Sequence, residues 1–242
     1  MFRKYKTDSK RRLLIAGASA LLALTACSDT KTDAPKPSGS SAGYEIENDH
    51  AIGNPDAKVT VVEYASVTCG HCANFHDNVY GDLKKKYVDT GLVRFVFREF
   101  PTQPANIAQA GFLIANCAPE GRFFDVIGLQ FKRQQQIVRD PRNELVKIAR
   151  SAGLSEADFE SCLQDPDEIA KFEAKVQHAT DIGVNATPSF EINGELVKRT
   201  PSGDTLYTLE TWDEVLRPLL GDDAPAPEKA PEDADAAEGG TE

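Results

Sequence analysis

The chain has 242 residues, a formal net charge of −11, 40% hydrophobic residues and five cysteines. This length is sufficient for a folded domain with its own hydrophobic core, so the fold does not require stabilising disulfides or metal ions. The strong negative charge argues against nucleic acids and anionic lipid surfaces as binding partners.

The N-terminus has the pattern of an export signal. Residues 1–12 carry six basic residues and one acidic residue, and the apolar stretch "LLIAGASALLALTA" follows directly. A basic start followed by a short apolar stretch is typical of a secretory signal, and this stretch is too short for a stable membrane span. We therefore predict a signal peptide over residues 1–26. Its removal leaves a net charge of −16 on the mature chain.

Cys27 follows this apolar stretch directly. The sequence Leu24-Thr25-Ala26-Cys27 resembles the lipobox of bacterial lipoproteins, which implies that Cys27 becomes the lipidated first residue of the mature chain. The alternative is cleavage at Ala18-Ser19-Ala20, which leaves Cys27 as a spare thiol. Lipidation is favoured because five cysteines leave an odd one in an oxidising compartment, and a thioether removes Cys27 from thiol chemistry.

Both flanks of the folded part lack apolar periodicity. Residues 27–43 are rich in Ser, Pro, Gly and Asp, which predicts a flexible tether. Residues 221–242 hold eight acidic residues, one lysine and no large apolar side chain, which predicts a disordered acidic tail. The folded domain is therefore expected between residues 44 and 220.

The first elements of this domain form a strand, a helix and a second strand. The runs "KVTVVEY" (58–64) and "LVRFVF" (92–97) are β-branched and aromatic and have the length of strands. Between them, apolar residues recur every four positions, at Phe75, Val79, Leu83 and Tyr87. This order favours two parallel strands with the helix packed on one face of the sheet.

Helical patterns fill residues 101–183. Asp140-Pro141 and Asp165-Pro166 each pair an N-cap residue with a proline at the first helical position, and Ser155 with Asp158 is a capping box. Strand spacing returns in "SFEINGELVK" (189–198) around Asn193-Gly194, which is a strong hairpin signal because both residues adopt positive φ readily. An amphipathic helix is predicted at about 209–220.

The predicted fold class is therefore α/β. An all-helical insertion, residues 101–183, separates a βαβ unit from a C-terminal β-hairpin and helix. The sheet domain would consist of residues 44–100 and 184–220. This is a single domain with an insertion.

Cys69 and Cys72 lie where the first predicted strand gives way to the helix. A cysteine at a helix N-terminus has a lowered pKa because unpaired backbone N–H groups and the helix dipole stabilise its thiolate. Cys72, one turn further, lies on the same side of the helix and is expected to be more buried, which places it within reach of a disulfide that another thiolate can open. The spacing therefore predicts a redox-active pair.

Two nearby side chains are candidates for tuning this pair. An imidazolium at His71 would stabilise the Cys69 thiolate, whereas the alternative is a solvent-facing loop residue. Glu63 stands in an apolar strand six residues before Cys69, where a buried carboxylate could exchange a proton with Cys72. Strand alternation alone would also allow Glu63 to face solvent.

Thr187-Pro188 precedes the hairpin. A proline here removes one backbone donor at the start of the strand, and a cis bond would leave neighbouring backbone groups free to pair with an extended peptide. Only about 5–6% of X–Pro bonds are cis in folded proteins, so this frequency alone favours a trans Thr187–Pro188 bond.

Together these motifs resemble the DsbA family of thioredoxin-fold thiol–disulfide oxidoreductases over roughly residues 45–220. They are the export signal, Glu63, Cys69-Gly70-His71-Cys72, the helical block, "GVNATPSFEING" and the closing helix. The resemblance implies a thioredoxin-like fold, a redox-active Cys69–Cys72 pair and Glu63 as a buried acid. It also implies a cis Pro188 beside the pair, with Thr187 contacting substrate.

One departure concerns the direction of electron flow. DsbA itself has Pro-His between its cysteines, whereas Gly70-His71 is the dipeptide of protein disulfide isomerase, and isomerases also have threonine before the proline. Reduction potentials of about −120 mV for DsbA and about −180 mV for protein disulfide isomerase show how far such pairs differ. The overall resemblance to DsbA implies an oxidase, and this departure leaves a reductase or isomerase as the alternative.

Cys117 and Cys162 both lie in the helical block. Four cysteines allow three pairings, and the close spacing of Cys69 and Cys72 selects Cys117 with Cys162. Closing this loop would add about 4 kcal/mol to the free energy of unfolding in the chain-entropy model. We interpret the pair as structural, with a second redox centre as the alternative.

Two other functions remain open at this point. A metal site could combine Cys69, Cys72 and His76 with His50 or His178, but zinc sites usually contain a second close ligand pair, so His76 is interpreted as a helix-surface residue. The second is a non-catalytic thioredoxin-fold binding module.

The preferred function is an exported, lipid-anchored dithiol–disulfide oxidoreductase that acts on other exported proteins without a cofactor or metal. As an oxidase it would need a membrane redox partner of the DsbB type, and its only contact with the membrane would be the anchor.

Overall fold

The computed structural model describes residues 43–226. Its centre is a five-stranded sheet in the order β1-β3-β2-β4-β5. The strands are β1 (His50–Ile52), β2 (Val59–Ala65), β3 (Val93–Glu99), β4 (Ser189–Ile192) and β5 (Glu195–Val197). The strands β2 and β3 are parallel, and the other three pairings are antiparallel.

Strand β2 is the middle strand, and all seven of its residues are buried. Burial on both faces explains why its sequence is an almost continuous apolar run. The short strand β1 was not predicted, because its three half-buried residues carry no periodicity of their own. It forms by antiparallel pairing with β3, with His50 opposite Phe97.

The helices confirm the predicted α/β order. The connection from β2 to β3 contains α1 (Gly70–Asn78), α2 (Tyr80–Leu83) and a π-helical turn (Lys84–Val88). The insertion contains α3 (Ala105–Asn116), α4 (Phe123–Lys132), α5 (Gln134–Arg139), α6 (Pro141–Ser151), α7 (Glu156–Leu163) and α8 (Pro166–Asp181). The last helix is α9 (Leu209–Leu220), followed by a 3-10 turn (Gly221–Asp223).

Most predicted local signals form as expected. The Ser155–Asp158 capping box starts α7, and Asp165 accepts hydrogen bonds from two backbone N–H groups at the start of α8. Asn193 and Gly194 have φ values of 48° and 85° in the hairpin. The prediction for Asp140 was wrong in one respect, because its side chain makes no cap and instead accepts from the Asn143 amide.

Two apolar clusters place the cysteine pair between the sheet and the insertion. One packs β2, β3 and β4 against α1 and α9, with Phe75 and Trp212 fully buried. The other fills the insertion and extends to Ala65, Val67 and Cys72. Cys72 therefore lies where the two parts of the domain meet.

The predicted signal peptide, residues 1–26, and the lipidation site Cys27 lie outside the described residues, as does the tether except for its last residue. The 3-10 turn at Gly221–Asp223 differs from the disorder predicted from 221 onward, and 227–242 are not described. Within residues 43–226, no helix combines the length and the apolar character needed to cross a membrane.

Candidate active site

Cys69 is the N-cap residue of α1, just beyond the end of β2. Its backbone is extended, with φ −85° and ψ 119°, and its N–H donates to the Ser66 carbonyl at 3.0 Å. Cys72 is fully buried one turn into the helix, whereas Cys69 is partly exposed, and both are free thiols. One sulfur thus faces approaching molecules while the other is protected behind it.

The surroundings of Cys69 favour its thiolate. The Cys72 thiol, the nearby Thr187 side chain and the backbone N–H groups of Cys72 and His71 lower the pKa of Cys69 to about 5, although its burial acts in the opposite direction. The two N–H groups belong to the first turn of α1, where no intrahelical partner is available. Cys69 is therefore largely ionised at neutral pH and has the nucleophilic form of a reactive cysteine.

The surroundings of Cys72 have the opposite effect. Burial raises the pKa of Cys72 strongly, and its hydrogen bond to Cys69 and the negative charge of Glu63 raise it further. Two thiols one turn apart thus differ in acidity because one lies at the helix terminus and the other inside the apolar core. Such a pair has a nucleophile and a protonated resolving thiol.

Thr187 and Pro188 lie against Cys69 from the other end of the domain. The Thr187–Pro188 bond is cis, and in the thiol form Cys69 Sγ donates to the Thr187 carbonyl at 3.3 Å. Gln103–Pro104 is a second cis bond, which the sequence did not predict. A groove of about 370 Å³ runs from Pro188 along the hairpin to Tyr207.

His71 is exposed on the first turn of α1, and its ring lies 6.3 Å from the ring of Tyr207. Its backbone N–H, rather than its imidazole, contributes to the lowered pKa of Cys69. The predicted effect of an imidazolium at this position stays a prediction.

Glu63 and His76 form a buried pair behind the cysteines. Glu63 is fully buried on β2, and its Oε2 lies 2.8 Å from Nε2 of His76. The interpretation of His76 as a helix-surface residue was wrong, because only 6% of its side chain is exposed. His76 lies four positions after Cys72, and this helical spacing was the available signal.

The histidines proposed for a metal site have separate environments. His50 Nε2 lies 3.0 Å from Asn116 Oδ1, and the ring of His50 stacks on Phe123. His178 is a half-buried residue of α8. In the part of the chain that the structure describes, no three His, Cys, Asp or Glu side chains converge as a metal-binding group.

Polar side chains that the sequence did not single out support the cysteine loop. Ser66 Oγ accepts from the N–H groups of Thr68 and Thr102, and Thr68 Oγ1 donates to the Thr102 carbonyl at 2.9 Å. Gln134 donates from α5 to the carbonyl oxygens of Val67 and Cys69. Apart from the Ser66–Thr68 contact, these hydrogen bonds join residues that are 34 to 67 positions apart, so no local pattern reveals them.

Cys117 and Cys162 are joined by a disulfide with a Cα–Cα distance of 6.2 Å. The bond connects the C-terminal end of α3 to α7, within the helical insertion. Cys162 is buried, and the bond ties two helices of the insertion together.

Comparison with known proteins begins with the family. Residues 45–216 match the family model described as thioredoxin. The chain belongs to the thioredoxin family. This membership confirms the predicted thioredoxin-like fold.

Two solved structures share this thioredoxin architecture. The alpha-DsbA1 of Wolbachia pipientis has a TM-score of 0.63 and 27% identity, and the match covers 75% of this chain and 96% of that chain. A protein-disulfide isomerase from Novosphingobium aromaticivorans has a TM-score of 0.59 and 26% identity, and the match covers 70% and 97% of the two chains. The structural similarity to a DsbA protein therefore covers three quarters of this chain.

A curated relative from Rickettsia bellii carries the name "Putative protein-disulfide oxidoreductase". It is 33% identical over 156 residues, which covers 61% of this chain and 58% of the relative. The chain thus spans less than two thirds of that relative's length.

Proposed function

We propose that this protein is a dithiol–disulfide oxidoreductase that exchanges disulfides with exported proteins through Cys69 and Cys72. The observation that carries the proposal is the contrast between the two thiols. Cys69 is partly exposed with a pKa of about 5, whereas burial keeps the pKa of Cys72 well above its ordinary value. The names of the DsbA and oxidoreductase relatives support the same chemistry.

In the oxidase direction, a substrate thiolate attacks Cys69 in the oxidised pair. The Cys69–Cys72 bond breaks, Cys72 leaves and is protonated, and a mixed disulfide joins Cys69 to the substrate. A second substrate thiolate then attacks the substrate sulfur and releases Cys69 as a thiolate. The substrate gains a disulfide, and the protein is left with two reduced cysteines.

The oxidase direction is the preferred one. A stabilised Cys69 thiolate favours the reduced protein over the oxidised protein, and this preference makes the Cys69–Cys72 disulfide an oxidant. The alternative is a reductase or isomerase, in which Cys69 attacks a substrate disulfide and Cys72 resolves it. Gly70-His71 and Thr187 favour that alternative, because isomerases carry the same residues.

Substrate binding is assigned to Thr187, the cis Pro188 and the groove beside them. The groove continues from Pro188 along β4 and β5, where an extended peptide would have access to backbone groups. Glu63 is assigned the proton exchange with Cys72, because it is buried and its charge acts on that thiol. The Cys117–Cys162 disulfide is assigned a structural role.

The proposed location is the periplasmic face of a bacterial membrane. Residues 1–26 would be removed as a signal peptide, Cys27 would carry the lipid anchor, and 27–43 would tether the domain. A membrane protein of the DsbB type would reoxidise the pair. Mass spectrometry of the mature N-terminus tests this proposal, and an unmodified Cys27 in the mature chain would contradict the anchor.

The activity is tested with oxidised protein and a reduced peptide that contains two cysteines. We expect the wild-type protein to form the peptide disulfide. The Cys72→Ser variant has no Cys69–Cys72 disulfide to transfer, so this variant and the Cys69→Ser, Cys72→Ser variant should leave the peptide reduced. A Cys72→Ser protein joined through Cys69 to a peptide with a single cysteine should keep that mixed disulfide. If the Cys69→Ser, Cys72→Ser variant keeps the full activity of the protein in the cell, the non-catalytic binding module is the better function. The reduction potential and the redox state of the pair in cells decide the direction.

A further inference from the structure

Disulfide exchange at this site requires a proton at a buried atom. Cys72 is fully buried, and its raised pKa makes the free thiolate unfavourable. When Cys72 leaves the disulfide it must gain a proton, and when it resolves a mixed disulfide it must lose one. The structure therefore needs a route between Cys72 and solvent.

Glu63 is the candidate for the first residue on such a route, because its charge acts on the Cys72 thiol. It has one partner among the described side chains. Its Oε2 lies 2.8 Å from His76 Nε2, whereas its Oε1 is buried without a hydrogen-bond partner in residues 43–226. A fully buried carboxyl group with one unsatisfied oxygen lowers the stability of the fold, and a functional role would explain why it is retained. This contact joins a carboxyl group to an imidazole, and each of these groups can accept or donate a proton.

The ring of His76 is held in one place. It stacks on Phe131 of α4 at a centroid distance of 4.2 Å and contacts Tyr80 of α2 at 4.5 Å. Phe97 and Phe75 contact it at 6.3 Å and 5.5 Å. These aromatic contacts come from four different elements, so the imidazole keeps its orientation toward Glu63.

A cavity connects this ring to the surface. A space of about 240 Å³ lies between α1 and α4, and His76 is part of its lining. Exposed residues Asp77, Gly81 and Lys132 also line it, so the cavity opens to solvent on that side. The titratable or charged groups around His76 are thus Glu63, Cys72 and Tyr80 within the fold, with Asp77 and Lys132 at the opening.

We propose that His76 carries the protons between solvent and Glu63 for the Cys72 step. His76 acts through Glu63 and is therefore a positioning residue. This inference deepens the proposed function and rests on it. In the oxidase step the Cys69–Cys72 bond breaks, its electron pair stays on Cys72, and Cys72 receives a proton from the Glu63–His76 pair. The pair then takes a proton from solvent through the cavity.

The reverse step uses the same groups. Cys72 gives its proton to the pair, the Cys72 thiolate attacks Cys69 in the mixed disulfide, and the substrate leaves as a thiolate. Electrons move only between sulfur atoms, and the pair returns its proton to solvent. No further oxidant or reductant is needed for this resolution.

The test measures resolution in a preformed mixed disulfide between Cys69 and glutathione, over a range of pH. His76→Phe keeps an aromatic ring between Tyr80 and Phe131, and His76→Gln keeps an N–H donor for Glu63 without a titrating group. We expect both variants to slow glutathione release on the order of tenfold or more, with a rate that rises with pH where the wild type is flat. His178→Gln makes the same change outside the cavity and should leave the profile unchanged.

The rate of Cys69 alkylation separates this inference from the proposed function. Alkylation requires no proton at Cys72, so folded His76 variants should react with the alkylating agent at the wild-type rate. A wild-type resolution rate and pH profile in His76→Phe, or full rescue by His76→Gln, would overturn the proton role. A wild-type protein that forms no mixed disulfide contradicts the proposed function instead.

A second measurement needs no substitution. The rate at which the wild-type protein resolves the mixed disulfide should fall in D₂O, and the same rate in D₂O and H₂O would contradict the relay.

Discussion

The side-chain amide of Gln134 donates a hydrogen bond to the backbone carbonyl of Cys69 at 3.0 Å. The same amide donates to the Val67 carbonyl at 2.9 Å. Gln134 is the first residue of α5, which follows a break in the helix at Arg133. One residue of the helical insertion thus fixes two carbonyl groups of the loop that carries the nucleophile.

Removing this amide should destabilise the protein. Gln134→Ala deletes two partly buried hydrogen bonds and leaves two carbonyl oxygens without these donors, so we expect the free energy of unfolding to fall by about 1–3 kcal/mol. Urea unfolding of the reduced protein measures the change. Gln136→Ala, at an exposed position of the same helix, is the control and should change it by less than about 0.5 kcal/mol. Equal losses in the two variants would show that the Cys69 loop does not depend on Gln134.

The lowered pKa of Cys69 makes the stability of the reduced protein depend on pH. The folded pKa of about 5 lies below that of an unfolded cysteine, so the thiolate stabilises the reduced fold. This contribution is fully present above the unfolded pKa and is lost as pH falls through about 5. We therefore expect the free energy of unfolding of the reduced protein to increase relative to that of the oxidised protein as pH rises from 5 to 8.

The oxidised protein is the internal control for this measurement, because Cys69 does not titrate in a disulfide. Urea unfolding of both forms at several pH values gives the difference directly. The pH dependence of Cys69 alkylation should independently show a midpoint near 5. A midpoint at the value of a free cysteine would contradict the assignment of Cys69 as the ionised nucleophile.

The imidazole of His71 is expected to tune the reduction potential. His71→Ala retains the backbone N–H that contacts Cys69 and removes only the side chain, so the variant isolates the effect of the imidazolium. Loss of a cation beside the thiolate destabilises the reduced form, and the potential should become more negative, on the order of 30 mV. Equilibration with glutathione measures it. An unchanged potential would leave the backbone N–H groups as the relevant contacts.

The parts of the fold that the sequence predicted correctly are those with local causes. The Ser155–Asp158 capping box and the Asn193–Gly194 turn depend on residues within a few positions, so composition and spacing reveal them. The strand β1 was missed because three residues become a strand only through their pairing with β3. Local patterns carry no information on that pairing.

In the candidate site, too, the sequence revealed the features with local causes and missed those that depend on long-range packing. The Cys69–Cys72 spacing and its position before a helix were visible, and so was the unusual Glu63 in an apolar strand. The contact of Glu63 with His76 was missed because it depends on how α1 packs on the sheet. Gln134 was missed because its partners lie 65 and 67 positions earlier, on a different part of the fold.

The Cys117–Cys162 disulfide should stabilise the fold through the insertion. It closes a loop with a sequence separation of 45, for which the chain-entropy model gives about 4 kcal/mol. Cys117→Ser with Cys162→Ser should therefore lower the free energy of unfolding by up to about that amount. The pKa of Cys69, measured by alkylation, should stay near 5 in this variant. A large change in that pKa would favour a redox role for the second pair.

A buried ion pair joins the insertion to the sheet. Lys175 Nζ of α8 lies 2.9 Å from Glu99 Oε1 at the end of β3, and their side chains are only 2% and 0% exposed. Lys175→Met leaves a buried carboxylate without its cation, so we expect a loss of about 3–5 kcal/mol in the free energy of unfolding. Adding Glu99→Leu removes that charge as well and should recover much of the loss.

Lys171 provides the matched control for this ion pair, because it pairs with Glu168 on the same helix and is 40% exposed. Lys171→Met should cost less than about 1 kcal/mol, since exposed pairs contribute little. Urea unfolding of the single variants and the Glu99→Leu, Lys175→Met double variant forms a thermodynamic cycle. If Lys175→Met and Lys171→Met lose the same stability, or if Glu99→Leu gives no recovery, the pair is not what couples α8 to β3. The insertion would then be held on the sheet by its other contacts, such as those of Gln134 and Asn116.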